Sequence, residues 1–154
     1  MNKFYGYYSS PIGLIEVVTD IEAVYEVHFV DKIQFKTEQP VILTEALTQL
    51  NEYFNGKRKI FTVKLHLEGT EFQTKVWHAL TSIPYGCLMT YKEIATLVGN
   101  ERASRAVGGA NNKNKISILI PCHRVIGSNQ KLIGYEWSLA RKEWLLKHEK
   151  DNLN

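Results

Sequence analysis

The sequence predicts an α/β protein of two lobes, a small N-terminal sheet closed by a helix and a helical C-terminal unit. Three observations carry that prediction. Residues 3–30 are rich in aromatic and β-branched side chains broken by turn chemistry. The second half holds two helix-capping boxes, each opening an apolar stripe of helical period. The length, 154 residues, suits one compact unit or two small lobes sharing a core. Apolar residues at 44% and charged residues at 23% are ordinary for a globular chain, which leaves no compositional support for disorder, collagen-like repeats or coiled coils. No segment approaches the roughly 18 uninterrupted apolar residues of a membrane span, and MNKFYGYYSSP lacks the apolar core of a secretory signal. A cytoplasmic protein without a membrane partner is expected.

Residues 3–9, 14–19 and 23–30 read as an antiparallel meander, with Ser9 to Gly13 turning around Pro11. From Val41 to Phe54 the apolar positions Leu43, Ala46, Leu47, Leu50 and Phe54 follow helical spacing, and Gly56 stops the helix. Residues 1–62 thus form the first lobe and 63–67 an extended linker into a second lobe, 68–154. There Thr70 and Gln73 make a capping box ahead of Phe72, Val76, Trp77 and Leu80, and the helix ends before Pro84-Tyr85-Gly86. Thr90 and Glu93 make the second, opening a short helix with Ile94, Ala95 and Val98 inward and Gly99 at its end. A third short helix over about 102–110 would complete a helix-turn-helix, a motif that many helical cores share. Ile116 to Ile120 reads as an extended apolar run stopped by Pro121, and Ser138 to Glu149 as the last helix, burying Leu139, Leu145 and Leu146.

Charge is uneven. Residues 87–131 hold seven Lys or Arg, including Arg105 and Arg124, against Glu93 and Glu101 alone. Such an excess fits a face turned to a polyanion, and equally a solvated surface. The two cysteines, Cys87 and Cys122, are too few for a disulfide framework. Cys122 stands between Pro121 and His123, where a nearby cation or base would raise its thiolate fraction; a Cys-His pair alone is also consistent with a buried structural cysteine. The third helix is built of small residues, Ala103, Ser104, Ala106, Val107, Gly108 and Gly109, with Arg105 as its one long cation. That surface permits the close approach a minor groove demands, or simply tight helix packing. Histidine and cysteine spacing offers no metal site, and neither a P-loop nor a dinucleotide fingerprint is present, so no metal or cofactor is expected.

The pieces GTEFQ (69–73), VW (76–77), IPYG (83–86), TY (90–91), SRAVGGAN (104–111), Asn114, PCHRVIGS (121–128), GY (134–135) and KEWLLKHE (142–149) resemble, in order, the O6-alkylguanine-DNA alkyltransferases, the methylated-DNA–protein-cysteine methyltransferases. The resemblance implies a ribonuclease H-like N-terminal lobe and a winged-helix-like catalytic lobe. It implies direct, single-turnover transfer of an alkyl group from O6 of guanine in double-stranded DNA to Cys122, by a protein that is a monomer in solution. His123 would deprotonate Cys122 through a water, Glu149 would orient the imidazole, and Asn114 would brace the turn. Arg105 would take the space of the flipped nucleotide, with Ala103, Ser104 and Ala106 in the minor groove and Arg124 counted with the DNA-binding residues. Tyr91 would rotate the lesion's phosphate and touch the flipped base, Tyr135 would wall the pocket, the carbonyls of Cys122 and Val125 would accept from the guanine amino group, and the amide of Glu136 would face O6.

The chain departs from the family where Glu136, Trp137 and Ser138 replace a glycine-containing stretch after GY, and at Lys115 and Gln130. Trp137 is expected to narrow the pocket against bulky adducts such as benzyl, and Cys87 is expected to be incidental. Three other functions share some of these features. A non-catalytic alkyltransferase-like damage-binding protein would bind the lesion without transfer. A helix-turn-helix regulator would need longer polar side chains on its third helix. A Cys-His hydrolase would need an oxyanion hole and would turn over.

Overall fold

The computed structural model describes residues 2–127 and 138–154. The chain divides into two compact units, residues 1–67 with 115–117, and residues 68–114 with 118–154.

The first unit is an antiparallel meander, β1 (Phe4–Ser10), β2 (Gly13–Thr19) and β3 (Val24–Val30), followed by α1 (Val41–Phe54). Register is set by pairs such as Gly6 with Val17 and Val17 with Val27. The central strand β2 is buried on both faces, Ile15 to Thr19 without interruption, and Leu43, Ala46 and Leu50 on α1 are fully buried as well. Gly6 is glycine because a Cβ there would come within 2.9 Å of Leu43 and 2.8 Å of Leu47. Residues 63–67, expected as a linker, belong to this unit. Val24 donates to the Lys64 carbonyl and His66 to the Val24 carbonyl, both at 2.8 Å, so these residues run along β3. The 116–120 segment differs from a single extended run as well. Ile116 bridges Val27, then Ile118 takes φ of 73° and turns the chain back into the second unit.

The second unit is helical: α2 (Glu71–Thr81), α3 (Tyr91–Leu97), α4 (Ser104–Asn112) and α5 (Leu139–Asp151). Both capping boxes are formed, Thr70 with Gln73 and Thr90 with Glu93. Gly99, at φ of 90°, follows α3 and lets the chain turn into α4. Trp77 is buried beneath α4, its indole N–H donating to the Ala110 carbonyl at 2.9 Å. A parallel pair too short to read from sequence, β4 (Met89–Thr90) with β5 (Val125–Ile126), joins the start of α3 to the chain just after Cys122. The buried face of α5 also differs from expectation. Leu145 is fully buried, but Leu139 is 49% exposed and Leu146 only half-buried, while Lys142 and Glu149 are fully buried. The helix turns two charges inward because each has a partner there. No described helix is long and apolar enough to cross a membrane.

Candidate active site

Pro121 ends the apolar run, and the next three residues, Cys122–Arg124, wind into one 3₁₀ turn. That turn redirects side chains that an extended backbone would send to opposite sides. Asn114 braces it, its Nδ2 donating to the Ile120 carbonyl at 3.0 Å, and Asn111 Nδ2 reaches the Cys122 carbonyl at 3.4 Å. Cys122 is 4% exposed and His123 fully buried.

Glu149, from α5, gathers the turn. One carboxylate oxygen lies 2.7 Å from His123 Nε2 and 3.0 Å from Arg124 Nη2; the other takes Arg124 Nε at 2.8 Å and the Gly86 amide at 3.1 Å. Burial pushes the Glu149 carboxyl up, but His123 and Arg124 outweigh it and hold the group well below the usual carboxylate range. An ionised carboxylate only accepts, so His123 carries its proton on Nε2. Burial, set against the attraction of Glu149, lowers the His123 pKa, so the ring is neutral at pH 7. Its Nδ1 is therefore a bare lone pair, buried and without a hydrogen-bond partner among the described residues. A neutral imidazole held in one tautomer, with Nδ1 able to accept, has the chemistry of a general base.

Arg124 corrects an expectation. The residue is 6% exposed, and three of its five guanidinium N–H groups are committed, two to Glu149 and one to the Ile83 carbonyl at 2.7 Å. Buried and held by Glu149 and the Ile83 carbonyl, it is a strut of the acceptor turn. Lys142, which sequence reasoning missed, donates to the Val125 carbonyl at 2.5 Å. Burial brings its ammonium down to about 8, with the negative charge of a Cys122 thiolate pulling the other way. The interaction places a cation within electrostatic reach of the acceptor sulfur. The carbonyls of Cys122 and Val125 each accept a hydrogen bond, from Asn111 and from Lys142.

Gly86 is the second residue missed. It takes φ of 79°, and a Cβ there would stand 2.2 Å from a Leu153 methyl. Gly86→Ala is expected to cost about 1–2 kcal/mol of backbone strain, lowering Tm by a few degrees and displacing the amide that Glu149 accepts; urea and thermal unfolding against the parent protein check it.

On α4 the small-residue face is open. Arg105, Ala106 and Gly109 are exposed, and Ala103 and Ser104 half-exposed, while Val107, Ala110 and Asn111 point inward. Tyr91, at the start of α3, sits at the junction: its phenol pKa is raised by burial and by the Cys122 charge, and the Asn111 amide hydrogen-bonds it. Cys87 is exposed. Tyr135, Glu136 and Trp137, expected to shape the pocket, and Gln130 lie outside the described residues.

Residues 71–151 match the family model described as 6-O-methylguanine DNA methyltransferase, DNA binding domain, and residues 3–67 match its ribonuclease-like domain. The chain is 51% identical over 152 residues to a methylated-DNA–protein-cysteine methyltransferase of Methanosarcina acetivorans, covering 95% of this chain and 97% of that protein. A Mycobacterium leprae protein of the same name is 44% identical over 147 residues, 92% of this chain and 88% of its own. Among solved structures, the Mycobacterium tuberculosis O6-methylguanine methyltransferase superposes with a TM-score of 0.89 at 40% identity, over 98% of this chain and 94% of that one. An OGT of that organism in complex with DNA gives a TM-score of 0.89 at 41% identity, over 97% and 94%.

Proposed function

Because the chain belongs to the 6-O-methylguanine DNA methyltransferase family, we propose that it repairs O6-alkylguanine in duplex DNA by moving the alkyl group onto Cys122, once per chain. The observation that carries this reading is the acceptor turn itself: a buried thiol, a neutral imidazole with its Nδ1 lone pair uncommitted among the described residues, and a carboxylate fixing the tautomer.

His123 Nδ1 takes the Cys122 proton through a water, and the imidazolium that forms is balanced by Glu149 at 2.7 Å. Lys142 favours the thiolate electrostatically. The thiolate lone pair attacks the alkyl carbon in line, the S–C bond forms as the C–O6 bond breaks, and its electron pair leaves on O6 of guanine, which is protonated at N1. The thioether formed is neither a thiolate nor a good leaving group, so the reaction ends there. A buried thiol reaches O6 only when the base has left the stack, at a cost of a few kcal/mol that is least for a poorly paired lesion. Arg105 on the open face of α4 fills the vacated space, Ala103, Ser104 and Ala106 lie in the minor groove, and Tyr91 faces the extruded nucleotide. The protein acts as a monomer.

Intact and peptide mass spectrometry after incubation with a duplex carrying one O6-methylguanine tests this. One methyl on Cys122 per repaired guanine is expected; tight lesion binding without transfer would place the protein among damage-binding relatives, and multiple turnover would reject a suicide reaction. Affinity for undamaged duplex should fall steeply with salt and depend weakly on sequence, because phosphate contacts release counterions. Arg105→Ala should slow repair of a paired lesion by roughly tenfold or more, the rate equivalent of losing a contact of about 1.4 kcal/mol in the flipped state. Fluorescence anisotropy between about 50 and 200 mM salt, where log affinity falls against log salt with a slope of about 0.9 per neutralised phosphate, checks the first expectation, and single-turnover repair the second.

A further inference from the structure

Ile118 is the residue at which the chain turns toward Cys122, and its backbone conformation is an unusual one for isoleucine. Its φ is 73°, in the left-handed region where a β-branched side chain crowds its own backbone and where turns ordinarily place glycine or asparagine. Among the described residues the other non-glycine at positive φ is Ser138. A conformation of this kind persists only where its surroundings over-determine it. Here both sides are held. Upstream, Ile116 bridges Val27, and the Ser117 amide donates to the Val27 carbonyl at 3.0 Å. Downstream, the Ile120 carbonyl accepts twice, from Asn114 Nδ2 at 3.0 Å and from the Cys122 amide at 2.7 Å, and the Pro121 ring fixes the next φ at −79°. Ile118 itself is 1% exposed.

We propose that Ile118 is a positioning residue for alkyl transfer: its left-handed backbone, locked by burial of its own side chain, sets where the acceptor turn stands against α4 and α5. The segment before it is fixed on β3 and the segment after it is hydrogen-bonded and ring-locked, so Ile118 is the joint between them. Rotating its φ to the usual negative range, a swing of roughly 130°, would draw the Ile120 carbonyl away from Asn114. It would also carry the Cys122 carbonyl away from Asn111 and His123 away from Glu149, the contacts that build the site. Core filling does not account for the strain, because an isoleucine in ordinary backbone fills the same volume without it. This role rests on Cys122 being the alkyl acceptor.

The test compares Ile118→Ala with Ile118→Gly, which leave nearly the same cavity and differ in their tolerance of positive φ. In ordinary backbone the alanine variant is the more stable of the two; at a left-handed position the order inverts. Ile118→Gly is therefore expected to melt roughly 2–4 °C above Ile118→Ala. Single-turnover methylation of Cys122 is then read by mass spectrometry at saturating lesion duplex, well below both melting temperatures. Ile118→Gly should stay within about fivefold of the parent rate, and Ile118→Ala should fall roughly tenfold below Ile118→Gly. A core-filling role moves the melting temperatures and leaves the two rates equal. Equal rates, or an alanine variant that is the more stable or the faster, would overturn the proposal. If Ile118→Ala does not fold, the glycine variant decides alone: transfer within about fivefold of the parent supports the proposal, and a larger loss overturns it. Failure of both to fold would assign Ile118 to the core and overturn it too. A parent protein that gains no methyl on Cys122 rejects the underlying acceptor reading instead, a result visible before any variant is compared.

Discussion

Cys122→Ala is expected to remove methyl transfer to below detection while lesion duplex is still bound. The substitution takes away the nucleophile and little else. Cys122 is 4% exposed in a turn that Asn114 braces through the Ile120 carbonyl, so backbone geometry survives the loss of one sulfur. In the proposed reading, affinity comes from α4 and phosphate contacts, which the sulfur does not make. Cys87 has no base in its own turn and is exposed, so it does not substitute as acceptor. Mass spectrometry of Cys122→Ala, paired with a binding isotherm at fixed salt, checks both halves. A methyl gained on Cys87, or on any residue of the variant, would overturn the assignment.

Glu149→Gln is expected to have the largest effect on stability. It leaves Arg124 and any His123 imidazolium without their counter-charge in a site with no exposure on either the His123 or Glu149 side chain. Breaking a buried pair from one side costs about 3–5 kcal/mol, a large share of the roughly 5–15 kcal/mol that holds a domain together. Transfer should slow as well, because the amide can present either an acceptor or a donor to Nε2 and no longer fixes the tautomer. The acid limb of stability follows the same groups. The Glu149 pKa is lowered on folding, so its contribution is present above the unfolded value near 4.5 and is lost as pH falls toward the depressed folded value. The His123 pKa is lowered too, so the unfolded chain takes up that proton first, and stability declines as pH drops below about 6.5. Both act in one direction. Chemical unfolding between pH 7 and 2 should show a loss below about pH 4.5 that is present in the parent protein and absent from Glu149→Gln, which starts from a lower stability; parallel curves below pH 4.5 would reject the account.

The parts of the fold that sequence pattern conveys are those governed by local chemistry. The helix over 41–54 and both capping boxes match expectation at their ends, because caps and periodicity act within a few residues. Long-range pairing hides the rest. Leu139 and Leu146 looked like the inner face of α5, yet Lys142 and Glu149 occupy it, since their partners at Val125, His123 and Arg124 lie 17 to 26 residues away. Arg124 read as a surface charge for the same reason. The resemblance supplied Cys122, His123, Glu149 and Asn114 as a group, and the structure gathers them on one turn and one helix. The roles of Lys142 and Gly86, and the burial of Arg124 against Glu149, emerge only from the folded structure. The available hints were an arginine two residues after the nucleophile, a lysine three residues before a buried leucine, and the glycine of IPYG.

The carboxylate that organises the acceptor turn has one more implication, for the order of synthesis. Glu149 is 26 residues downstream of the histidine it fixes. A growing chain that has reached His123 holds the thiol and the imidazole but nothing to choose a tautomer or to balance a proton. Its thiol stays chemically ordinary until α5 has been made and docked. A protein that reacts only once gains from that sequence of events, because the irreversible group is armed after the helix-turn-helix that selects its target has already folded.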